Sequence, residues 1–388
     1  MPYSILKCPV CGSEYQIDRN SYICDKCGNI LDVIQRDITN FKITSMKGVW
    51  KYKEIVHPGL NNNQIITKME GDTNIYHHLK LSEYSGIKNI YMKHEGENPT
   101  GSFKDRGMTV AVSEAIRQGF KKTLCASTGN TSASAASYSA YAGIDSYVFI
   151  PSKKISKNKL LQAYSYGANI VNIDGDFDTA MSNLRETLKK RSDFYVLNSL
   201  NPWRIEGQKT IIYEIMEKMR PDFISFPAGN LGNTSAFGKA LIEMREMDMI
   251  DYVPRLIAVQ AEGASPFYNY INNHEETLHP VRAETVASAI KIGNPVNYIK
   301  AKRSIEFSHG IVERVSDAEI LEAKKIIDRA GIGCESASAT SLAGVKKLRE
   351  KGFLDASDTV VGILTGNLLK ELNTDVQINM LTIDQVMS

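Results

Sequence analysis

The chain has 388 residues, 43% of them hydrophobic and 23% charged, and its formal net charge is +2. That length suggests two or three domains with ample core, and the ordinary composition excludes a disordered chain. The near-neutral balance leaves no electrostatic footprint for nucleic acid, and no apolar run approaches the ~18 residues that a membrane span needs. Lys7 and Cys8 interrupt any signal-peptide core almost at once, so a cytoplasmic, reducing setting is the expectation. Four of the six cysteines follow immediately, as Cys8-x-x-Cys11 and Cys24-x-x-Cys27. Gly12 and Gly28 come directly after each pair and allow tight turns that aim the thiolates inward. Four thiolates on two such knuckles suit a tetrahedral, structural zinc with no open position, so residues 1–36 read as a zinc-ribbon-like module. Two disulfides, disfavoured in the cytoplasm, or a ribbon that no longer holds metal are the alternatives.

Residues from about 37 to 83 read as a polar connector with little periodicity. From Asn89 onward, strand-like and helix-like runs alternate. Apolar strands are expected at 89–93, 123–127, 146–150, 169–173, 194–198, 223–227, 256–260 and 359–364, and helices at 208–218, 235–245 and 317–330. Ser316 and Glu319 form a capping box before the last helix, and Gly331 ends it. Such alternation implies an α/β fold with parallel sheets covered on both faces and ligands at the carboxyl ends of the strands.

Four stretches carry chemistry. The first is Glu97-Asn98-Pro99-Thr100-Gly101-Ser102-Phe103-Lys104-Asp105-Arg106-Gly107, where a strand runs through a Pro/Gly break into a helix. A lysine at a helix N-terminus faces the positive end of the dipole, which favours the neutral amine that a Schiff-base nucleophile must be. Ser127-Thr128-Gly129-Asn130-Thr131-Ser132 also joins a strand to a helix, and its amides and hydroxyls suit a carboxylate. Gly229-Asn230-Leu231-Gly232-Asn233-Thr234 follows a buried strand, and two glycines there let backbone amides cradle a phosphate. No Lys-Ser/Thr follows the second glycine, so a nucleotide P-loop is excluded, and a small phosphorylated cofactor fits better. Last, Thr365 ends the strand 359–364 with a neutral hydroxyl suited to a pyridine nitrogen.

Taken together, these motifs resemble those of threonine synthases, in the fold-type-II group of pyridoxal-phosphate enzymes that includes the tryptophan synthase β subunit. The likeness covers about residues 45–370. It extends through Asn198-Ser199-Leu200-Asn201-Pro202-Trp203-Arg204, Glu206-Gly207-Gln208-Lys209-Thr210 and Ala289-Ile290-Lys291-Ile292-Gly293-Asn294-Pro295. The resemblance implies two doubly wound sheet domains over 37–388, a smaller one inserted at about 90–205 and a larger one from the flanking segments. It implies pyridoxal 5'-phosphate held by Lys104, with Asn130 at the phenolic oxygen, Gly229, Asn230, Leu231, Gly232, Asn233 and Thr234 at the phosphate, and Thr365 at the ring nitrogen. Ser127, Thr128 and Thr131 would face the substrate, with Lys104, Ser127 and Thr131 nearest the chemistry. Asn198, Ser199 and Arg204 would clamp the substrate's phosphate, for which a guanidinium fork is well shaped. The reaction so implied, a step of threonine biosynthesis, is that of a carbon–oxygen lyase turning O-phospho-L-homoserine and water into L-threonine and phosphate. A homodimer is a further expectation.

Three positions depart from the family pattern: Gly71-Asp72-Thr73-Asn74-Ile75 stands for Gly-x-Thr-Pro-Leu, Asn367 for a histidine, and Ser336 for a proline. They keep open β-replacement or β-elimination on O-phosphoserine, serine or threonine, as in cysteate synthases and dehydratases. A zinc-ribbon adaptor with an inactive catalytic region is the non-enzymatic alternative, against which Lys104 and Thr365 argue. Cys125 and Cys334 read as packing residues.

Overall fold

The computed structural model describes residues 3–18, 22–36, 43–151, 157–174, 183–184, 186–188 and 190–372. Three sheets organise the chain. The first is antiparallel, in the order β2-β1-β3, with β1 Ser4–Lys7, β2 Glu14–Tyr15 and β3 Asp32–Gln35. Two knuckles close it: Gly12 and Gly28 donate N–H bonds to the carbonyls of Cys8 and Cys24, at 3.1 and 2.9 Å. Both glycines take φ of +74°, which side-chain-bearing residues adopt only with strain.

The large sheet has six strands: β4 Ile75–Tyr76, β5 Asn89–His94, β10 Phe223–Pro227, β11 Arg255–Ala261, β12 Ile311–Val315 and β13 Thr359–Leu364. Their order is β12-β11-β10-β13-β5-β4, parallel except where β4 meets β5. The small sheet is wholly parallel, β8-β7-β6-β9, from β6 Lys122–Ala126, β7 Asp145–Pro151, β8 Asn169–Ile173 and β9 Phe194–Val196. Strand β5 therefore belongs to the large sheet, and the small sheet's strands begin only at Lys122. The run Ile224–Phe226 is buried on both faces, as a central parallel strand requires.

The connector is less polar in its role than in its composition. Val49, Trp50, Tyr52 and Val56 are completely buried in the main core, and the Trp50 indole donates to Thr109 Oγ1 at 2.8 Å. Residues 37–42 of that connector lie outside the described residues. Strand β12 escaped the hydrophobic reading because Glu313 and Arg314 interrupt its apolar pattern. The 316/319 capping box forms as expected at Asp317–Arg329.

The ribbon is docked onto the body. Its Leu6, Tyr22, Leu31 and Val33 share the apolar core of Trp203, Ile205 and Phe237. Asp32 meets Lys239 at 3.3 Å and Lys300 at 3.5 Å, and Lys239 also pairs with buried Glu206 at 2.5 Å. Burial works against the Asp32 carboxylate, yet the lysines hold it down to about 2.

Candidate functional site

Strands β10, β13 and β5 are neighbours and parallel, so their carboxyl ends lie side by side. The 229–234 loop, Thr365 and the turn before Lys104 leave from those three ends. In the small sheet β6 and β9 are likewise parallel neighbours, and from their ends leave the 127–131 loop and the Asn198–Arg204 segment. All the expected site segments thus issue from strand carboxyl ends, where open α/β sheets bind ligands.

The Lys104 turn is fastened to the end of β13. Phe103 N–H donates to the Thr365 carbonyl at 3.0 Å, Asn367 N–H to that of Gly101 at 2.9 Å, and Ser102 bridges Gly366. Beneath it, Asp105 takes Thr100 N–H and hydroxyl at 2.6 Å each and the Ser134 hydroxyl at 2.5 Å. Lys104 is the first residue of the helix Lys104–Arg117. Its amine lies 4.1 Å from the centre of the Phe103 ring and is pulled down to about 7. The direction is the one expected from the helix start, but the cause is chiefly burial, then the Arg204 guanidinium. An amine so placed is partly neutral near pH 7.

Arg204 reaches this turn because two glycines let helices cross. A Cβ on Gly107 would come within 2.6 Å of the Arg204 carbonyl, and one on Gly207 within 1.8 Å of the Arg106 carbonyl. The helix Trp203–Gln208 consequently rides against the Lys104 helix. Arg204 is 3% exposed, forms no ion pair among the described residues, and its Nε has no hydrogen-bond partner. Its one described bond is long, 3.4 Å to the Leu197 carbonyl. Burial lowers it to about 10. The neighbouring carboxylate that could have claimed it, Glu206, is engaged instead with Lys209 at 2.6 Å and with Lys239.

The remaining expectations fall out unevenly. Ser127, Thr128 and Thr131 are half-buried, so a small ligand can reach them. Asn198 spends both ends of its amide on Ala126, accepting from its N–H at 2.7 Å and donating to its carbonyl at 2.8 Å. That ties β9 to β6 and leaves Asn198 better placed to hold the loop than to meet a phosphate. Ser199 accepts from the Asn230 amide at 2.9 Å, and Asn230 accepts from Val296 N–H at 2.9 Å. The clamp segment, the 229–234 loop and the 289–297 stretch are thereby joined. Thr365 is 4% exposed, its hydroxyl 3.1 Å from that of Ser338.

The residues present fit pyridoxal phosphate. Helix Gly232–Glu246 starts with no side-chain cap, after Leu231 in a left-handed conformation at φ +62°. Its first-turn amides are therefore available to a phosphate. Thr234 Oγ1, Asn233 Oδ1, Gln208 Oε1 and Asn130 Oδ1 are buried without partners among the described residues. Buried polar atoms left unbonded are costly, which makes a polar ligand their natural complement. A cavity of about 440 Å³ opens beside the turn, between Thr100, Gly101, Gln162, Asn367 and Lys370, and its walls include neither Lys104 nor Thr365. Glu335 and Ser338, which bond Asn130 and Thr365, went unremarked in the sequence, where only Ser336 drew notice. The signal was there: an acid and a run of small hydroxyl residues opening a helix directly after Gly333 and Cys334.

In the ribbon, the Sγ atoms of Cys8, Cys11, Cys24 and Cys27 all lie within 4.8 Å of one another, with Cys8–Cys27 at 3.4 Å and Cys11–Cys24 at 3.5 Å. A tetrahedron of Zn–S bonds near 2.3 Å requires edges of about 3.8 Å, which these distances bracket.

Comparison with known proteins agrees with this geometry. Residues 66–366 match the model of the pyridoxal-phosphate dependent enzyme family. A threonine synthase of Methanosarcina acetivorans is 44% identical over 384 residues, covering 96% of this chain and 94% of its own. One of Methanocaldococcus jannaschii is 42% identical over 377 residues, covering 94% and 92%. Among solved structures, threonine deaminase isoform 2 of Solanum lycopersicum superposes with a TM-score of 0.68 at 20% identity, covering 87% of this chain and 94% of its own. Maize serine racemase does so with 0.67 at 19%, covering 82% and 92%. The two structures share the fold.

Proposed function

This chain belongs to the threonine synthase family of pyridoxal-phosphate-dependent enzymes, and on that premise we propose that it converts O-phospho-L-homoserine and water into L-threonine and phosphate. The observation that carries this substrate is Arg204, a buried guanidinium beside the Lys104 turn that has no carboxylate partner among the described residues. A cation so desolvated needs an anion, and a phosphate leaving group supplies two negative charges and a shape that the guanidinium matches.

Pyridoxal phosphate, which Lys104 would hold until the substrate amine takes its place and frees the Lys104 amine, would supply an electron sink that lets protons leave carbons otherwise too weakly acidic. Asn130 would meet its phenolic oxygen, the 229–234 loop its phosphate, and Thr365 its ring nitrogen. A hydroxyl leaves that nitrogen unprotonated more readily than a carboxylate does, favouring elimination and replacement over transamination. Ser127, Thr128 and Thr131 receive the substrate carboxylate. The Lys104 amine, poised near 7 by burial and by Arg204, takes the proton from the substrate's α-carbon and can return one later. A second proton leaves the β-carbon, the phosphate departs from the γ-carbon, a proton added at the γ-carbon completes the methyl group, and water adds its hydroxyl at the β-carbon before the α-carbon regains a proton. Arg204, with Ser199 alongside, stabilises the charge that grows on the departing phosphate. Asn198 serves by holding the strand end that presents them.

The four thiolates hold one structural zinc, for which their spacing is suited. The reading places the protein in the cytoplasm, where such thiols stay reduced. A homodimer is carried by the resemblance alone, and light scattering on a sizing column tests it. The decisive assay offers the purified protein phosphohomoserine, O-phosphoserine, serine and threonine separately. Threonine and phosphate in equal amounts from phosphohomoserine alone are expected. Turnover of phosphoserine with none of phosphohomoserine would transfer the protein to β-replacement chemistry.

A further inference from the structure

The start of helix Ser336–Glu350 holds a carboxylate that the reaction scheme above does not use. Glu335 is 1% exposed, and both its oxygens accept from the Asn130 amide nitrogen, at 2.9 and 2.8 Å. Its own N–H donates to the Gly366 carbonyl at 3.0 Å, which ties it to the strand end that carries Thr365. Gly366 makes room for it: a Cβ there would lie 2.4 Å from the Glu335 carboxyl carbon. Glu335 thus sits against the Asn130 amide and is tied to Gly366, the residue that follows Thr365.

We propose that Glu335 is a positioning residue of this site: it fixes the Asn130 amide toward the cofactor and sets a negative charge against the Lys104 amine. The paired hydrogen bonds carry the first half, and for the second the Glu335 carboxyl packs on Gly366, which bridges Ser102 two residues before Lys104. An asparagine amide has two N–H groups, and when a carboxylate chelates the nitrogen its orientation is no longer free. The amide nitrogen is then committed to Glu335, and Oδ1 is left without a partner among the described residues. Among the described residues, Arg204 and Glu335 act on the Lys104 amine in opposite senses. Burial and Arg204 both favour the neutral amine, and Glu335 opposes them. Its charge therefore favours the protonated amine, the form present once Lys104 has taken a proton from the substrate. Glu371, whose carboxylate accepts Ser336 N–H at 2.7 Å, is the second acid at this helix start, and the helix dipole favours both. The assignment of Asn130 to the phenolic oxygen rests on the reading given above, whereas the charge at Lys104 does not depend on the substrate.

The test uses full-length protein freed of cofactor. Lys104 is acetylated with a trace of acetic anhydride at each pH from 6 to 11, and its labelling is followed by peptide mass spectrometry. In the wild type the midpoint should fall near 7. Glu335→Gln, which keeps an oxygen for the Asn130 amide but drops the charge, should lower that midpoint by about half to one pH unit. Glu335→Asp, which keeps the charge and withdraws it by one methylene, should lower it less, and stands in should the glutamine variant fail to fold. In the loaded Glu335→Gln protein the visible band should move, because one neutral oxygen holds the Asn130 amide less firmly than the two carboxylate oxygens do. A purely structural residue would cost thermal stability and leave both midpoint and band in place, and that result overturns the proposal. An upward midpoint does so as well. Since no substrate enters the experiment, its failure leaves threonine synthesis standing, and failure of the product assay leaves the Lys104 result standing.

Discussion

Arg106 and Arg204 lie on the two helices that cross at Gly107 and Gly207, and both are almost wholly buried. Arg106 is surrounded by acids: Glu95 and Glu214 each hold it at 2.5 Å, and Lys93 shares Glu214 at 2.6 Å. Despite burial, Glu214 and Glu95 raise Arg106 well above the ordinary arginine value. Among the described residues Arg204 has no acid against it, and burial lowers it to about 10. A buried charge without a partner is costly, so the first arrangement belongs to a finished structure and the second to a site awaiting an anion. The same contrast separates the lysines. Lys209 is fully buried between Glu206 and Glu243, whereas the Lys104 amine is held near 7 by burial and by Arg204. Charge matched inside the protein builds the scaffold, and charge left unmatched marks the chemistry.

Lys104→Ala sets the top of the scale. It should abolish turnover and the borohydride-reducible visible chromophore while the protein stays folded, checked by absorbance, trapping and circular dichroism. A reducible adduct that persists at this site would disprove the assignment. Next comes Arg106→Ala, which leaves Glu95 without the cation that pairs with it and Glu214 with only Lys93 of its two cations. It should cost about 3–5 kcal/mol in urea unfolding. Arg204→Ala, in phosphate-free buffer, should leave stability within about 1 kcal/mol of wild type or raise it. The opposite ranking would break the contrast between the two arginines.

Smaller is the effect on Lys104 titration. With its folded value below that of a free lysine, the unfolded chain binds more protons between about 7 and 10, so the Lys104 contribution to stability rises with pH across that window. Arg204→Ala removes a repelling cation and should move the Lys104 midpoint upward, opposite to Glu335→Gln. The mildest expectation for turnover concerns the ribbon. Metal analysis should give about one zinc per chain, lost in Cys8→Ser with Cys24→Ser. Turnover should survive far better than in Lys104→Ala, since the ion pairs that tie ribbon to body through Asp32, Lys239 and Lys300 involve none of the expected site residues, although the shared apolar core includes Arg204's neighbours Trp203 and Ile205. Zinc-free wild-type protein purified without chelator would contradict the metal assignment.

What the sequence made legible follows the same division. The Lys104 turn, the 229–234 loop and the end of β13 could be found because glycine, proline and hydroxyl residues punctuate apolar strands. The Cys-x-x-Cys pairs announced their cluster through spacing alone. Three things stayed hidden. Trp50 and Tyr52 lie in a stretch too polar and irregular to suggest core, yet tertiary packing buries them. Asn198 has the residue type of a ligand, and only the pairing of β9 with β6 reveals that its amide is spent on Ala126. Glu335 is 205 positions from Asn130, and no local pattern relates residues so far apart. The lack of an acid beside Arg204 was equally invisible, because Glu206 stands two residues away in sequence but faces Lys209 and Lys239.

The most direct test of the unmatched arginine is steady-state kinetics of wild type and Arg204→Ala on phosphohomoserine and on homoserine. A site built for a dianion should favour phosphohomoserine by on the order of 10⁴-fold in kcat/KM. Arg204→Ala should lose roughly 10²–10³-fold on phosphohomoserine and little on homoserine, with its visible band still present. Near-equal efficiency of the wild type on the two substrates, or an unimpaired Arg204→Ala, would contradict the account.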